Sequence, residues 1–254
     1  MCNDIKYIGK YTNQLKDREK KDFLSLFNIV FDLNYNIKWF NWKYLDNIYG
    51  DSYIVLAYDK DNIIGIRSFW RNDIDGYLSY QPCDTAVLKE YRGRGIFSQM
   101  TKIALKEVGK AFIYNFPNEN SLPGNLKLGW EIHKKYHIKS VWNKAKLKDE
   151  VEFIEDEYLL WKFYKSPLSK YYYYEINGQT YLLYKRKNNL YYVLGKFNEK
   201  NKKYFTKAKL PILFNHVVEE TIIYKLFKKS TTIVSFQGKD KKNIDIPIFR
   251  ADYF

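Results

Sequence analysis

The chain has 254 residues, of which 46% are hydrophobic and 28% are charged, so it can bury one large core or two smaller ones. No run of about 18 uncharged apolar residues occurs, and the N-terminus lacks the apolar segment of a secretory signal, so we expect a cytoplasmic protein without a membrane span. The formal net charge of +14 favours anionic partners, but an A/T-rich genome also enriches lysine through its codons, so the charge identifies no partner.

Cysteine and histidine give no support to a metal site. The two cysteines, Cys2 and Cys83, are too few for a disulfide framework or a thiolate cluster. The three histidines are scattered and have no cysteine or carboxylate partners at ligand spacing. We therefore predict no bound metal.

The first half of the chain alternates between helical and strand-like patterns. Apolar residues at helical spacing predict a core-facing helix over residues 17–31, namely Phe23, Leu24, Phe27, Val30 and Phe31. A second, aromatic-rich helix is predicted over residues 37–50, ending at Gly50. Two strand-like runs follow, joined by a hairpin turn at residues 59–62.

A third strand-like run, residues 76–88, contains Pro82. Because proline removes a ladder donor, we expect a bulge or a sheet edge at that position. An amphipathic helix from Gly95 to Gly109 comes next, then a buried strand, a short helix and a further strand. This order predicts the α/β class, with a mixed sheet and helices on both of its faces.

The second half begins with a charged and then helical connector near residues 143–165. Strand patterns follow, then a helical stretch over residues 210–227 and closing strands over residues 231–236 and 246–254. We predict two domains, residues 1–147 and a smaller α/β lobe at 148–254 that repeats the first in degenerate form. The lysines and tyrosines of this half resemble a single-strand nucleic-acid platform, but alternating strands explain them, and we predict no nucleic-acid partner.

A basic, glycine-rich loop joins the third strand to its helix. Gly93 and Gly95 permit close approach of a ligand, the helix start offers free N–H groups and a positive dipole end, and Arg92 and Arg94 add charge. The spacing fits neither the P-loop nor the dinucleotide fingerprint. From these residues alone, a basic helix cap is as good an interpretation as a phosphate site.

The stretch AVLKEYRGRGI resembles the acetyl-CoA-binding motif of the GNAT acyltransferase superfamily, [QR]-x-x-G-x-[GA]. The stretch matches that motif at Arg92, Gly93, Arg94, Gly95 and Ile96, whereas Phe97 replaces its last small residue. The superfamily's second landmark, N-x-x-[AS]-x-x-x-[YF]-x-K-x-G-[FW], is matched at Asn118, Ser121, Lys127, Gly129 and Trp130. The resemblance covers residues 5–145, and the whole chain is similar to two-lobed bacterial members.

The resemblance implies roles for particular residues. The backbone of Thr85, Ala86 and Val87 would bind pantetheine as an added strand, and the sheet would splay beside it. Asn118 would hydrogen-bond the cofactor arm, and Ser121 would line the same cleft. The pyrophosphate cradle would be formed by Arg92, Gly93, Arg94, Gly95, Ile96 and Phe97.

Catalytic residues are harder to assign, because Asn125 stands where many members carry a tyrosine acid. Asp84 and Cys83 are the candidate bases. The alternatives are that Asp84 binds backbone N–H groups near Pro82, that Cys83 is a buried apolar residue, and that catalysis proceeds by positioning with water taking the proton.

The resemblance implies an N-acetyltransferase that moves an acetyl group from acetyl-CoA to a primary amine of a small acceptor. An amino sugar or surface-polysaccharide precursor is the acceptor class that the similar bacterial proteins suggest. Two alternatives remain: a tRNA-dependent aminoacyl transferase of the peptidoglycan-bridge type, and a non-catalytic CoA-binding protein.

Overall fold

A computed structural model describes residues 5–141, 151–168, 171–185, 190–209, 213–219, 230–236 and 244–252. Contacts divide the chain into two compact units. The first contains residues 1–131 and 234–244, and the second contains residues 132–233 and 245–254. The predicted domain boundary at residue 147 remains a prediction. Within the described ranges, no helix has both the length and the apolarity to cross a membrane.

The first unit is built on a mixed sheet with the strand order β1-β2-β3-β4-β5-β12. Neighbouring strands are antiparallel except for the parallel pair β4 and β5, and residues 234–236 of β12 pair with β5. The strands are β1 Ile5–Tyr11, β2 Tyr53–Asp59, β3 Asn62–Arg71, β4 Ser79–Val87, β5 Phe112–Asn115 and β12 Ser230–Phe236. The mixed α/β sheet predicted from the sequence is confirmed.

In its described part this unit has four α-helices: α1 Asp17–Phe31, α2 Ile37–Phe40, α3 Ile96–Val108 and α4 Leu122–Lys127. The prediction for α2 is wrong in length, because the α-helix gives way to a wider π-type turn at Asn41–Leu45. That turn places the side chains of Lys43 and Tyr44 in the interior, both almost fully buried. Phe31, predicted to face the core, is 46% exposed at the end of α1.

Helices pack on both faces of the sheet because side chains alternate along the strands. Tyr58 of β2 reaches α1, where its hydroxyl donates to Asp22 at 2.9 Å. The adjacent Ala57 lies on the other face with α3. A Cβ added to Gly65 of β3 would lie 3.1 Å from Ile96 of α3 and 3.3 Å from Ala57. Gly65 therefore lets α3 lie close against the sheet.

The middle of the sheet contains a bulge and a splay. Pro82 itself pairs normally with Phe69, so the prediction of a bulge or edge at that proline is wrong by two residues. The register shifts at Asp84 and Thr85, which together oppose Arg67, and Asp84 has a φ of 43°. Strands β4 and β5 pair only at Ser79–Tyr80 with Phe112–Ile113, so the predicted splay is confirmed.

The second unit has the strand order β6-β11-β9-β8-β7-β10 and buries its own apolar cluster around Leu183 and Val193. The strands are β6 Glu131–Val141, β7 Tyr171–Ile176, β8 Gln179–Lys185, β9 Leu190–Lys196, β10 Thr206–Lys207 and β11 Leu213–Glu219. Its helical segment begins with α5 Asp156–Tyr158 and continues as a π-type turn to Tyr164.

Two predictions for this unit are wrong. The helix predicted over residues 210–227 is a strand at Leu213–Glu219, because those residues pair with β6 and β9; residues 220–227 lie outside the described part. The predicted closing strand over residues 246–254 is a 3-10 turn at Ile248–Arg250 instead. There the buried ammonium of Lys162 donates to the carbonyls of Phe249 and Ala251 at 2.7 and 2.6 Å. In a strand, these carbonyls would accept from a neighbouring strand instead.

Candidate functional site

The loop between β4 and α3 forms an open concave backbone. Gly93 and Gly95 have φ values of 79° and 78°, which favour glycine over other residues. A Cβ added at either position would have no heavy atom within 4 Å, so the space in front of the loop is open. Among the described residues, the first N–H of α3 with a backbone acceptor is that of Gln99, which donates to the carbonyl of Gly95 at 2.9 Å. The N–H groups of residues 96–98 thus face the loop and suit an anion.

The arginine side chains of this loop hold the loop itself. Arg92 Nε donates to the carbonyl of Val87 at 3.1 Å, and Arg94 Nη2 donates to that of Glu90 at 3.0 Å. The Arg94 guanidinium also lies over the ring of Tyr91, whose hydroxyl donates to Asp59 at 2.6 Å. These contacts shape the loop and add positive charge at its rim, while the backbone supplies the donors.

Strand β4 leads from the bulge to this loop. Ala86 and Val87 pair on one side with Ile66 and Gly65 of β3. On the side of β5, no strand of the described chain pairs with β4 beyond Tyr80. The backbone groups of residues 85–87 on that side therefore stand along the open slot, as an added extended chain requires.

The bulge is held by a buried ion pair. Lys43 Nζ lies 2.7 Å from Asp84 Oδ2, and the two side chains are only 5% and 8% exposed. The Tyr44 hydroxyl donates to the same carboxylate oxygen. The ammonium also lies 5.2 Å from the centre of the Trp70 ring, whose indole N–H donates to the Lys43 carbonyl. The alternative that Asp84 binds backbone N–H groups is not what the structure shows.

These contacts determine the chemistry available at the bulge. Burial, followed by the negative charge of Asp84, raises the pKa of Tyr44 well above its ordinary value, so this phenol is neutral and acts as a donor. Cys83 is buried, at 6% exposure, and its Sγ lies 3.9 Å from the Tyr44 hydroxyl, within hydrogen-bonding reach. Its role as a base or as a buried apolar residue stays a prediction.

On the other side of the bulge lies a second buried cation, Arg67 of β3, which is 2% exposed. Its Nη1 donates to Thr85 Oγ1 at 2.9 Å, and its guanidinium carbon lies 4.3 Å from the centre of the Phe97 ring. Thr85 is therefore joined through its side chain to β3. Phe97, the residue that departs from the motif, covers this guanidinium.

The residues of the second landmark lie at α4. The Asn118 side-chain oxygen accepts from the backbone N–H groups of Asn120 and Ser121 at 3.1 and 2.9 Å, and Ser121 Oγ donates to the Asn118 carbonyl at 3.3 Å. Both side chains thus form the turn that begins α4. Any contact of theirs with a ligand remains a prediction.

Asn125 of α4 is fully buried, and neither its amide nitrogen nor its amide oxygen has a hydrogen-bond partner in the described chain. Its backbone carbonyl accepts from Leu128 and Trp130 at the end of the helix. A carboxamide has no acidic proton to deliver to a leaving thiolate. Asn125 is therefore not a general acid.

Sequence reasoning did not identify two residues of this site, Lys43 and Arg67. Lys43 lies in a helical, lysine-containing segment, and Arg67 lies in a strand with alternating polar and apolar residues. Cations in such segments are usually exposed, so the sequence predicts exposed side chains for both. The burial of these two cations depends on the pairing of β3 with β4, and that pairing cannot be read from the residues next to Lys43 or Arg67 in the sequence.

No family model matches the sequence, and no curated protein matches it. Solved structures do match. A GCN5-related N-acetyltransferase from Kribbella flavida aligns with a TM-score of 0.59 and 11% identity, over 91% of this chain and 70% of that one. A probable N-acyltransferase from Enterococcus faecalis V583 aligns with a TM-score of 0.58 and 12% identity, over 91% and 72%.

A third structure, Eis1 from Mycobacterium abscessus, aligns with a TM-score of 0.52 and 10% identity, over 85% of this chain and 66% of that one. The coverage includes described residues from both compact units. The glycine loop before α3, the bulge of β4 and the splay beside β5 lie in an architecture shared with these proteins. The chain therefore has the fold of the GCN5-related N-acetyltransferase superfamily.

Proposed function

We propose that this chain is an acyl-CoA-dependent N-acyltransferase, with acetyl-CoA as the acyl donor and a primary amine of a small molecule as the acceptor. The observation that carries the proposal is the open glycine loop at residues 93–95, placed where β4 and β5 separate. Its free N–H groups suit the pyrophosphate of CoA, and the unpaired side of β4 suits the amide groups of pantetheine.

Within this proposal, the backbone of residues 92–97 holds the pyrophosphate, and residues 85–87 hold the pantetheine arm. Asn118 and Ser121 line the same slot. The thioester then lies near the bulge at Asp84, where backbone N–H groups polarise its carbonyl. The amine nitrogen attacks the carbonyl carbon, the C–S bond breaks, and CoA leaves as a thiolate.

Protons are handled by solvent in this proposal. The amine gives up one proton and the thiolate takes one, while Asn125 has none to supply. Asp84 is bound by Lys43 and Tyr44 through one oxygen, so we assign it to holding the bulge in its left-handed conformation rather than to accepting the proton. We assign no proton transfer to Cys83, which packs against Tyr44.

The proposed acceptor class, an amino sugar or a surface-polysaccharide precursor, rests on the sequence resemblance alone. A panel of amino sugars, polyamines and amino acids, with release of free CoA thiol as the readout, tests it. If the protein binds acetyl-CoA but no amine of the panel causes release of the thiol, the alternative of a non-catalytic CoA-binding protein is favoured. Asn125, which cannot act as an acid, is compatible with that alternative.

Binding itself is tested by thermal shift. Acetyl-CoA at a hundred times its Kd should stabilise the protein by about 2.7 kcal/mol through linkage. Gly95→Trp fills the open space before the loop and should abolish the shift. Gly76→Trp is the matched control, because Gly76 has a φ of 75° and equally open surroundings, but lies in the turn at the opposite end of β4. No shift with the unmodified protein, or equal loss in both variants, would contradict the proposal.

A further inference from the structure

Arg67 is a buried cation that forms no ion pair with a carboxylate in the described part of the chain, although the Cys83 thiol acts on its charge. Arg67 is 2% exposed. Two of its three donor nitrogens, Nε and Nη2, have no hydrogen-bond acceptor in the described chain. Burial lowers the pKa of Arg67 to about 9, which reflects how poorly the surroundings solvate its charge. An unsatisfied charged donor inside a protein is costly, so its retention calls for a partner that arrives from outside.

The unsatisfied atoms form the edge of the guanidinium that binds anions in a bidentate manner. Arg71, four residues later on the same strand, shows this use: its Nε and Nη2 hold the two carboxylate oxygens of Asp73 at 2.6 and 2.9 Å. In Arg67 the third nitrogen, Nη1, is occupied by Thr85, and the equivalent edge is unused. Planar carboxylates fit this edge through two parallel hydrogen bonds.

An aromatic ring from α3 lies against the flat face of this guanidinium. The Phe97 ring lies over the guanidinium at 4.3 Å and also faces α4, where a Cβ at Gly124 would lie 3.3 Å from it. Phe97 is only half-buried, whereas Phe69, the other ring beside Arg67, is fully buried. Rotation of Phe97 toward solvent would expose the face of the Arg67 guanidinium and leave the buried ring of Phe69 in place.

We propose that Arg67 binds a carboxylate of one of the two substrates, and that Phe97 covers this site until the substrate enters. The inference rests on the proposed acyl-CoA-dependent function, since it places the thioester at the bulge opposite Arg67. The carboxylate has two possible sources: the acyl group, as in the monothioester of a dicarboxylic acid, or the acceptor, as in an amino acid. A CoA phosphate is not expected here, because the loop at residues 93–97 provides its donors.

The test compares ligands that differ only in the carboxylate. Succinyl-CoA is compared with butyryl-CoA for the acyl group, and L-amino acids are compared with their carboxamides for the acceptor, by calorimetric Kd and by kcat/KM. In one of these pairs the carboxylate member should be preferred roughly ten- to hundredfold, the strength of hydrogen bonds to a charged group. Arg67→Met should remove that preference and leave the Kd of free CoA unchanged.

Two further variants complete the design. Arg67→Lys keeps the charge but loses the bidentate edge, so most of the preference should disappear. Phe97→Ala removes the cover and should strengthen binding of the preferred carboxylate several-fold. Arg18→Met, at a side chain that is 69% exposed on α1, is the control and should change neither ligand pair.

Folding does not confound the result, because Arg67→Met removes an unpaired buried charge and should melt at or above the temperature of the unmodified protein. Absence of a carboxylate preference in both ligand pairs would overturn the inference and leave the proposed function intact. Equal weakening of CoA, butyryl-CoA and succinyl-CoA by Arg67→Met would also overturn it, by assigning Arg67 to a CoA phosphate. If no CoA compound binds the unmodified protein, the proposed function fails, and this inference fails with it.

Discussion

Replacing Lys43 by methionine should destabilise the protein strongly, because Asp84 would remain buried without its counter-charge. Lys43 and Asp84 are 2.7 Å apart and 5% and 8% exposed, so water cannot substitute for the ammonium. Breaking a buried ion pair by removing one partner costs about 3–5 kcal/mol. A change of 1 kcal/mol moves the Tm of a domain of 150–250 residues by about 2–4 °C, so the expected loss is about 6–20 °C.

The double variant Lys43→Met with Asp84→Asn separates the charge effect from the loss of packing. Since no unpaired charge remains in it, it should be more stable than Lys43→Met alone, with a coupling of about 1–3 kcal/mol in the double-mutant cycle. Urea unfolding followed by fluorescence and circular dichroism provides the free energies.

Lys20→Met is the matched control, because Lys20 forms an ion pair of 3.3 Å with Asp17, whose side chain is 91% exposed. That variant should change the free energy of unfolding by less than about 1 kcal/mol. The reasoning would be refuted if Lys43→Met were as mild as Lys20→Met, or if the double variant were no more stable than Lys43→Met.

Two further predictions concern pH. Asp84→Asn should lower kcat at every pH without changing the shape of the pH–rate profile, because Asp84 positions the bulge; loss of one limb of the profile would show that it is the base instead. Burial and the hydrogen bond to Asp22 raise the pKa of Tyr58, so its hydroxyl stays protonated in the folded state while the unfolded chain ionises near its ordinary value of 10.0. Stability should therefore fall as pH rises above about 10, and Tyr58→Phe should show a shallower fall in urea midpoint; equal slopes would contradict this.

The sequence is informative about the site wherever the chemistry is local. Gly93 and Gly95 between a strand and a helix predict the loop, and the periodicity of α3 predicts both of its ends, because glycine conformation and helix amphipathicity are properties of neighbouring residues. The two landmark motifs add the order of β5 and α4. Pairing between distant strands is not local, and this is where the predictions fail.

Strand β11 illustrates that limit. Leu213–Glu219 follows a proline and contains a pattern compatible with a helix, yet it pairs with both β6 and β9. Arg67 illustrates it at the site, because the bulge of β4 and the rings of Phe69 and Phe97 lie beside its buried guanidinium. A charged residue in a strand is ordinarily exposed to water, and the residues next to Arg67 in the sequence do not indicate that it is buried.

The pairing of residues 234–236 with β5 has a consequence for the order in which the protein forms during synthesis. Strand β5 is translated before its neighbour at residues 234–236, and most of the second unit lies between them in the sequence. Until that neighbour is translated, the Ile113–Asn115 edge of β5 lacks that strand, and exposed strand edges invite intermolecular pairing. A fragment that ends at residue 147 should therefore aggregate more readily than the whole chain, and nascent chains should acquire full protease resistance in the first unit only after residue 236 is released.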